Sequence, residues 1–297
     1  MAISDSFHIY DTTLRDGAQQ EGLNLSVHDK LTIARHLDDL GVGFIEGGWP
    51  GANPKDTEFF KLAAKELKLK NATFVAFGAT RRANTKAADD ALLRALADSG
   101  APVVTLVAKS HDRHVELALK TDLQENLAMI KDSIKFLRQG GQRVFLDAEH
   151  FFDGYQANPA YALEVVRAAA EAGADVVALC DTNGGMLPDE LSDVVAKVIS
   201  DSSARIGIHC HNDTGCAIAN SLAAVAAGAS HEVTNVVLVV VHLYLSSKVA
   251  ITEEAFGRQV MRLLFGSYPS QCGETNKSLN QISTTLQVHP SFNLPHP

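Results

Sequence analysis

Short runs of β-branched and aromatic residues alternate along the chain with longer stretches whose apolar positions recur every three to four residues. The short runs predict strands at Phe7–Tyr10, Phe44–Glu46, Thr73–Phe77, Val103–Val107, Val144–Ala148, Val176–Leu179 and Ile206–His209. The longer stretches predict helices at Val27–Leu40, Thr57–Leu67, Lys86–Ala97, Leu123–Leu137, Tyr161–Ala172, Asp189–Ile199 and Cys216–Ala227. In the first of these, Leu31, Ala34, Leu37 and Leu40 build one apolar face, and Ser26 stands where a capping hydroxyl is needed. Gly41, Gly100, Gly140, Gly173 and Gly228 punctuate helix ends.

Seven strand–helix units therefore precede Gly228, and an eighth strand is expected around Val233–Val241. Repetition of this unit implies a parallel sheet. Eight units in 297 residues match an α/β fold, the closed (β/α)8 TIM barrel, for which about 250 residues is typical. An open doubly wound sheet is the alternative, but no G-x-G-x-x-G follows the first strand. The expected organisation is a TIM-barrel catalytic domain over 1–245 with an atypical eighth unit, followed by an atypical C-terminal extension over 246–297. Beyond Gly228 the rhythm weakens. The end of the chain is polar, aperiodic and broken by Pro290, Pro295 and Pro297, and is expected to be poorly ordered.

Polar residues collect just after the strands: Asp11 to Asp16, Glu46, Arg81, Lys109, Glu149, Asp181 to Asn183, and His209 to Asp213. In a barrel these ends converge on one mouth, where active sites lie. Core packing does not explain such a concentration at one topological end.

Composition narrows the setting. Hydrophobic residues make up 46% and charged residues 21%, as in ordinary globular proteins. A formal charge of −9 argues against a general nucleic-acid binder. It also means that an anionic substrate must meet local positive charge. Cys180, Cys210, Cys216 and Cys272 form no C-x-x-C pair, which suits a reducing cytoplasm. Met1 is not followed by a basic and then apolar leader. The longest apolar run, Val236–Val241, is broken by His242 and is too short to span a membrane. A cytoplasmic protein with no nucleic-acid or membrane partner is expected.

The candidate chemistry lies in two segments. Asp16 follows a strand and precedes a glycine, so it can offer a hard anionic oxygen to a metal or simply stabilise the turn. His209 and His211 are two apart and face the same side of a strand, a chelating arrangement for neutral imidazoles at about 2.1 Å. One of them packed against backbone is the plainer reading. Asn212 and Asp213 can orient the rings. Arg15 is either an electrophile that holds a developing enolate or alkoxide, or one half of an ion pair in the mouth. Glu149 can position substrate or move protons, or it can be a structural carboxylate paired with Arg15. Thr182 offers a hydroxyl to a substrate carboxylate or to its own turn. Arg81, Arg82 and Lys109 can face phosphates or carboxylates, or stand solvated. Cys210, between the histidines, points the other way into packing.

These residues resemble a family of metal-dependent barrel enzymes that includes isopropylmalate, homocitrate and citramalate synthases and hydroxymethylglutaryl-CoA lyase. Leu14-Arg15-Asp16-Gly17-Ala18-Gln19 with Lys30 matches L-R-D-G-x-Q followed, after ten intervening residues, by K, and His209-Cys210-His211-Asn212-Asp213-Thr214-Gly215 matches H-x-H-[DN]-D-x-G. Four further segments, Ile45 to Asp56, Phe77 to Arg82, Asp147 to Gly154 and Cys180 to Gly185, look most like the citramalate synthase branch. The likeness runs from about Phe7 to Ser230.

The resemblance implies one divalent metal ion, Mg²⁺, Mn²⁺, Co²⁺ or Zn²⁺, on Asp16, His209 and His211. It implies catalytic roles for Arg15 and Glu149, and substrate contacts from Arg15, Thr182, Gln19 and Arg81. The implied reaction condenses acetyl-CoA with pyruvate to (R)-citramalate and CoA, on the isoleucine branch of amino-acid biosynthesis, in a homodimer. The related alternatives are a synthase for a bulkier 2-oxo acid and a C–C lyase of the hydroxymethylglutaryl-CoA type. A non-enzymatic alternative is an inactive metal-binding barrel. One departure bears on this choice. The family's eighth-strand segment N-G-x-G-E-R-x-G-N is replaced after His231 by Glu232-Val233-Thr234-Asn235-Val236-Val237. Reduced activity, or none, is therefore expected of the 297-residue chain.

Overall fold

Eight parallel strands close into one barrel in chain order, β1-β2-β3-β4-β5-β6-β7-β8. The computed structural model describes residues 7–19 and 22–234, all within the first of the chain's two units, Met1–Val249. The strands are β1 His8–Asp11, β2 Phe44–Glu46, β3 Thr73–Ala79, β4 Val103–Lys109, β5 Arg143–Glu149, β6 Val176–Asp181, β7 Ile206–Cys210 and β8 His231–Thr234. Between them run α1 Val27–Leu40, α2 Pro54–Glu66, α3 Ala91–Ala97, the short α4 Asp112–His114, α5 Leu123–Gln139, α6 Phe151–Ala157, α7 Pro159–Ala172, α8 Pro188–Asp201 and α9 Ala217–Ala226. A π-turn, Val115–Leu119, continues α4.

The barrel expected from the periodicity is thus present, and it closes. β8 pairs with β7 on one side and with β1 on the other, His8 opposite His231 and Asp11 opposite Thr234. The eighth strand begins at His231, two residues before its expected start. The rest of that expected strand, the boundary at 245 and the extension 246–297 lie outside the described residues. β2 has its expected bounds, and the other six strands extend one or two residues past their expected C-terminal ends.

The period of two divides the strands between two cores. Tyr10, Phe44, Val75, Val103, Phe145, Val176, Ala178 and Val233 fill the barrel interior. Their neighbours, such as Ile45, Ala76, Val104, Leu146, Val177 and Ile208, face outward and pack beneath the helices with Leu31, Phe59, Ile130, Val165 and Leu191. Local chemistry sets the helix ends. Ser26 and Asp29 form a capping box at α1, and Gly41, at φ 90°, ends that helix in the left-handed region.

Two contacts carry the family motifs into the fold. Lys30 is buried on α1, where its Nζ lies 2.6 Å from Asp56 Oδ1 and 3.0 Å from the Gly47 carbonyl. This pins α1 to the loop after β2. Gly154, in α6, lies so close to the β4 exit loop that a Cβ there would meet the Ser110 carbonyl oxygen at 2.5 Å and His111 Cα at 2.9 Å. Both obstacles are backbone and cannot swing aside. Gly154→Ala is expected to cost about 1–3 kcal/mol, read as a lowered midpoint in thermal unfolding; an unchanged midpoint would contradict this close approach.

Candidate active site

The loop after β1 and the end of β7 bring three ligating groups together at the mouth. Asp16, His209 and His211 each offer one atom, and these atoms lie within 4.8 Å of one another. Asp16 Oδ2 is 3.7 Å from His209 Nε2 and 3.8 Å from His211 Nε2. The spacing of two along β7 puts both rings on its inner side, their centroids 5.0 Å apart. Burial pushes the His209 pKa down, opposed by the Asp16 charge and reinforced by His211 and Arg15. The ring is therefore held neutral, the form that binds metal. One carboxylate oxygen and two imidazole nitrogens converging at this distance fit a divalent cation with open positions, and the donor set suits Mg²⁺, Mn²⁺, Co²⁺ or Zn²⁺.

Arg15 is fixed from three sides. Its Nε donates to Glu46 Oε1 and its Nη1 to Asp16 Oδ1, and its Cζ lies 3.9 Å from the centre of the Phe77 ring. Burial lowers its pKa, but Glu46 and Asp16 outweigh burial and the net shift is upward, so the guanidinium stays charged. Glu46 is fully buried and also accepts from the Tyr10 hydroxyl at 2.6 Å, while Thr105 Oγ1 lies 2.7 Å from the same hydroxyl. A polar column thus rises from the barrel interior to the mouth: Thr105, Tyr10, Glu46, Arg15, Asp16.

The other expected site residues take different partners. Glu149 does not pair with Arg15; Lys109, next to it across β4 and β5, takes that place. Thr182 Oγ1 accepts the His150 backbone N–H at 2.8 Å, which fixes the oxygen and leaves its hydrogen to donate. Gln19 is exposed at the end of the short turn Gly17–Gln19. Arg81 is buried and binds carboxylates of the protein itself: Nη1 is 2.7 Å from Glu125 and Nη2 is 2.8 Å from Asp132, both on α5, and Nε also donates to Asp132. The structure therefore uses Arg81 to anchor α5 rather than to meet an incoming anion. Arg82 pairs with Asp90. Cys210 is buried, and burial raises its thiol pKa, in keeping with an inert packing role.

Two groups of residues had no assigned role. Glu46 stands among the polar strand ends, but its place as the buried partner of Arg15 follows only from the closed barrel. Asp147, two residues before Glu149, shares that residue's inner face, and alternation along β5 is the signal that finds it. Burial, the largest cause, and the Glu46 charge push its carboxyl up to about 8, against the pull of Arg15. The sign of its linkage follows. Between about 4 and 8 the unfolded carboxyl is ionised while the folded one keeps its proton, so rising pH removes stability. Asp147→Asn copies the protonated form. It is expected to gain about 1–3 kcal/mol near pH 8 and nothing below pH 4; a gain independent of pH in unfolding experiments would refute this. The rim also carries a histidine group, in which the His111 and His114 rings stack at 4.7 Å and His114 meets His150 edge-on at 4.4 Å.

This geometry can be set beside known proteins. The HMGL-like family model matches residues 6–237. The chain belongs to the HMGL-like family. Over 229 residues, 77% of this chain and 43% of the relative, it is 68% identical to the (R)-citramalate synthase of Streptomyces coelicolor. It is 54% identical to that of Synechocystis sp. over 76% of this chain and 42% of the relative. A 2-isopropylmalate synthase from Methanocaldococcus jannaschii is 36% identical, with 76% of this chain and 41% of that protein covered. The chain thus spans less than half the length of these curated relatives. Among solved structures, hydroxymethylglutaryl-CoA lyase from Pseudomonas aeruginosa superposes with a TM-score of 0.71 at 19% identity, covering 95% of this chain and all of that one. That likeness speaks for the shared TIM barrel. Among the described residues no helix is long and apolar enough to cross a membrane.

Proposed function

We propose that this HMGL-like barrel is the catalytic unit of an acyltransferase that condenses acetyl-CoA with pyruvate to (R)-citramalate and CoA. The observation that carries the reading is the Asp16–His209–His211 cluster with Arg15 fixed against it, in a chain whose identity to (R)-citramalate synthases reaches 68%.

A divalent cation on Asp16, His209 and His211 would serve as a Lewis acid toward the 2-oxo acid. The protein's own groups do the rest. The Thr182 hydroxyl, its oxygen held by the His150 N–H, donates to the pyruvate carboxylate. Arg15, held in place by Glu46, faces the keto oxygen and stabilises the alkoxide that forms when the acetyl methyl carbon attacks. Glu149, steadied by Lys109, accepts the methyl proton. Water then cleaves the thioester and releases the CoA thiol.

A thiol assay tests the reading. Because the eighth-strand segment departs from the family, turnover by the 297-residue chain is expected to be reduced or absent. The informative readout is therefore a single turnover at high protein concentration. Pyruvate-dependent CoA release that a chelator abolishes is the expected result. Release with a bulkier 2-oxo acid but not with pyruvate would move the chain to the isopropylmalate branch. Metal binding with no release under any condition would favour a non-catalytic barrel.

A further inference from the structure

Lys109 and Glu149 end β4 and β5 at the mouth, and the strand period decides which way they face. Val103 and Phe145 lie in the barrel interior, whereas Ala108 and Ala148 pack outward beneath the helices. Lys109 and Glu149 therefore continue the two inner rows, and they stand opposite each other in the pairing of β4 with β5. Burial raises the pKa of Asp147 and of Cys180, and the charges of Arg15 and Glu149 act on both groups. Glu149 and Arg15 thus border one space.

The bond between Lys109 and Glu149 leaves both with capacity. Lys109 Nζ donates to Glu149 Oε2. An ammonium carries three donors, and among the described residues no second acceptor is bonded to this one. Glu149 Oε1 is likewise unbonded among the described residues. Both side chains are 26% exposed, so a ligand in the mouth can reach them.

The inference rests on the acyltransferase reading. In that reaction negative charge develops on two oxygens in turn, first the thioester oxygen of acetyl-CoA and then the keto oxygen of pyruvate. Glu46 and Asp16 fix Arg15 at the second, so the first needs a donor of its own. We propose that Lys109 is a catalytic residue that donates a hydrogen bond to the thioester oxygen and holds the enolate formed there. Glu149 Oε1 takes a methyl proton. The C–H electron pair becomes a carbon–carbon double bond, and the carbonyl π pair moves onto the thioester oxygen. Methyl carbon and oxygen are only two bonds apart, and Glu149 touches Lys109, so a methyl group at Oε1 brings the oxygen within reach of the ammonium. Lys109 keeps its protons. The enolate carbon then attacks the keto carbon, and the thioester carbonyl reforms. A charged donor already in place where charge develops needs no rearrangement during the step.

Calorimetric binding to the 297-residue chain of acetyl-CoA and of carboxymethyl-CoA, which carries a fixed negative charge in place of the acetyl group, tests the proposal. The unaltered chain is expected to prefer the anionic analogue. Lys109→Met is expected to lower that preference by about 10- to 100-fold while acetyl-CoA still binds, which also shows that the variant folds. Lys109→Arg is expected to restore most of it. Lys109→Met combined with Glu149→Gln is expected to keep the preference low, which separates a lost donor from an unmasked carboxylate. No preference in the unaltered chain, a ratio that Lys109→Met leaves unmoved, or a preference that returns in the double variant would each overturn the assignment. Any of these alongside pyruvate-dependent CoA release would remove Lys109 alone. A chain that binds neither ligand would remove the acyltransferase reading and this inference with it.

Discussion

Asp16→Asn is expected to strip the chain of divalent metal while leaving the barrel folded. The amide keeps the shape of the side chain but removes the charge, and two imidazoles alone are a weak grip. Metal retained after dialysis should fall from roughly one ion per chain to a small fraction of that. His209→Ala should do the same, with an added packing loss because His209 is 8% exposed. Asp16→Asn is the cleaner test, since Asp16 lies at the open rim and its loss leaves no cavity. Elemental analysis alongside circular dichroism separates metal loss from unfolding. Full retention of metal in both variants would remove the cluster from any role as a cation site, and the proposed reaction with it.

The second large effect belongs to a residue that touches no metal. Glu46→Ala is expected to destabilise the barrel by about 3–5 kcal/mol, lowering the unfolding midpoint by roughly 10 °C. Glu46 is fully buried and satisfies both Arg15 Nε and the Tyr10 hydroxyl. Truncation leaves a buried cation with one partner fewer and a buried phenol without its acceptor. Glu46→Gln, which can still accept from Tyr10, should lose less. The same change frees Arg15 to rotate, so any thiol release should fall further than stability alone explains. A loss below about 1 kcal/mol in denaturant titration would show that the pair is better solvated than its burial implies.

Much of this arrangement was legible before any coordinates. The candidate ligands were readable one segment at a time, two histidines at the strand period and a carboxylate just past a strand, whereas their meeting depends on closure of the barrel. The helix over 27–40 was readable to the residue because Ser26 and Gly41 mark its ends chemically. Other features depend on closure. Nothing near Glu46 in the chain announces that Arg15 lies against it, and the partners of Arg81 sit on a helix that starts well downstream. A charged pair after a strand reads as ligand-facing or solvated, whereas here it anchors a helix. No element was expected between Glu149 and Tyr161. Part of that stretch folds as α6, entered through His150 in the left-handed region at φ 55°, and Gly154 serves a tight backbone crossing rather than a turn.

The four residues of β8 have a consequence for how the protein comes into being. The carboxylate of the cluster follows the first strand, and the imidazoles stand on the seventh, His209, and just past it, His211. These two strands are not direct neighbours; the eighth alone joins them. A nascent chain that has released seven strands from the ribosome thus owns every ligand and still has no cage. On the proposed reading, a cation held by this cluster would wait for β8 to pair with both of its neighbours, and metal content would report closure of the ring.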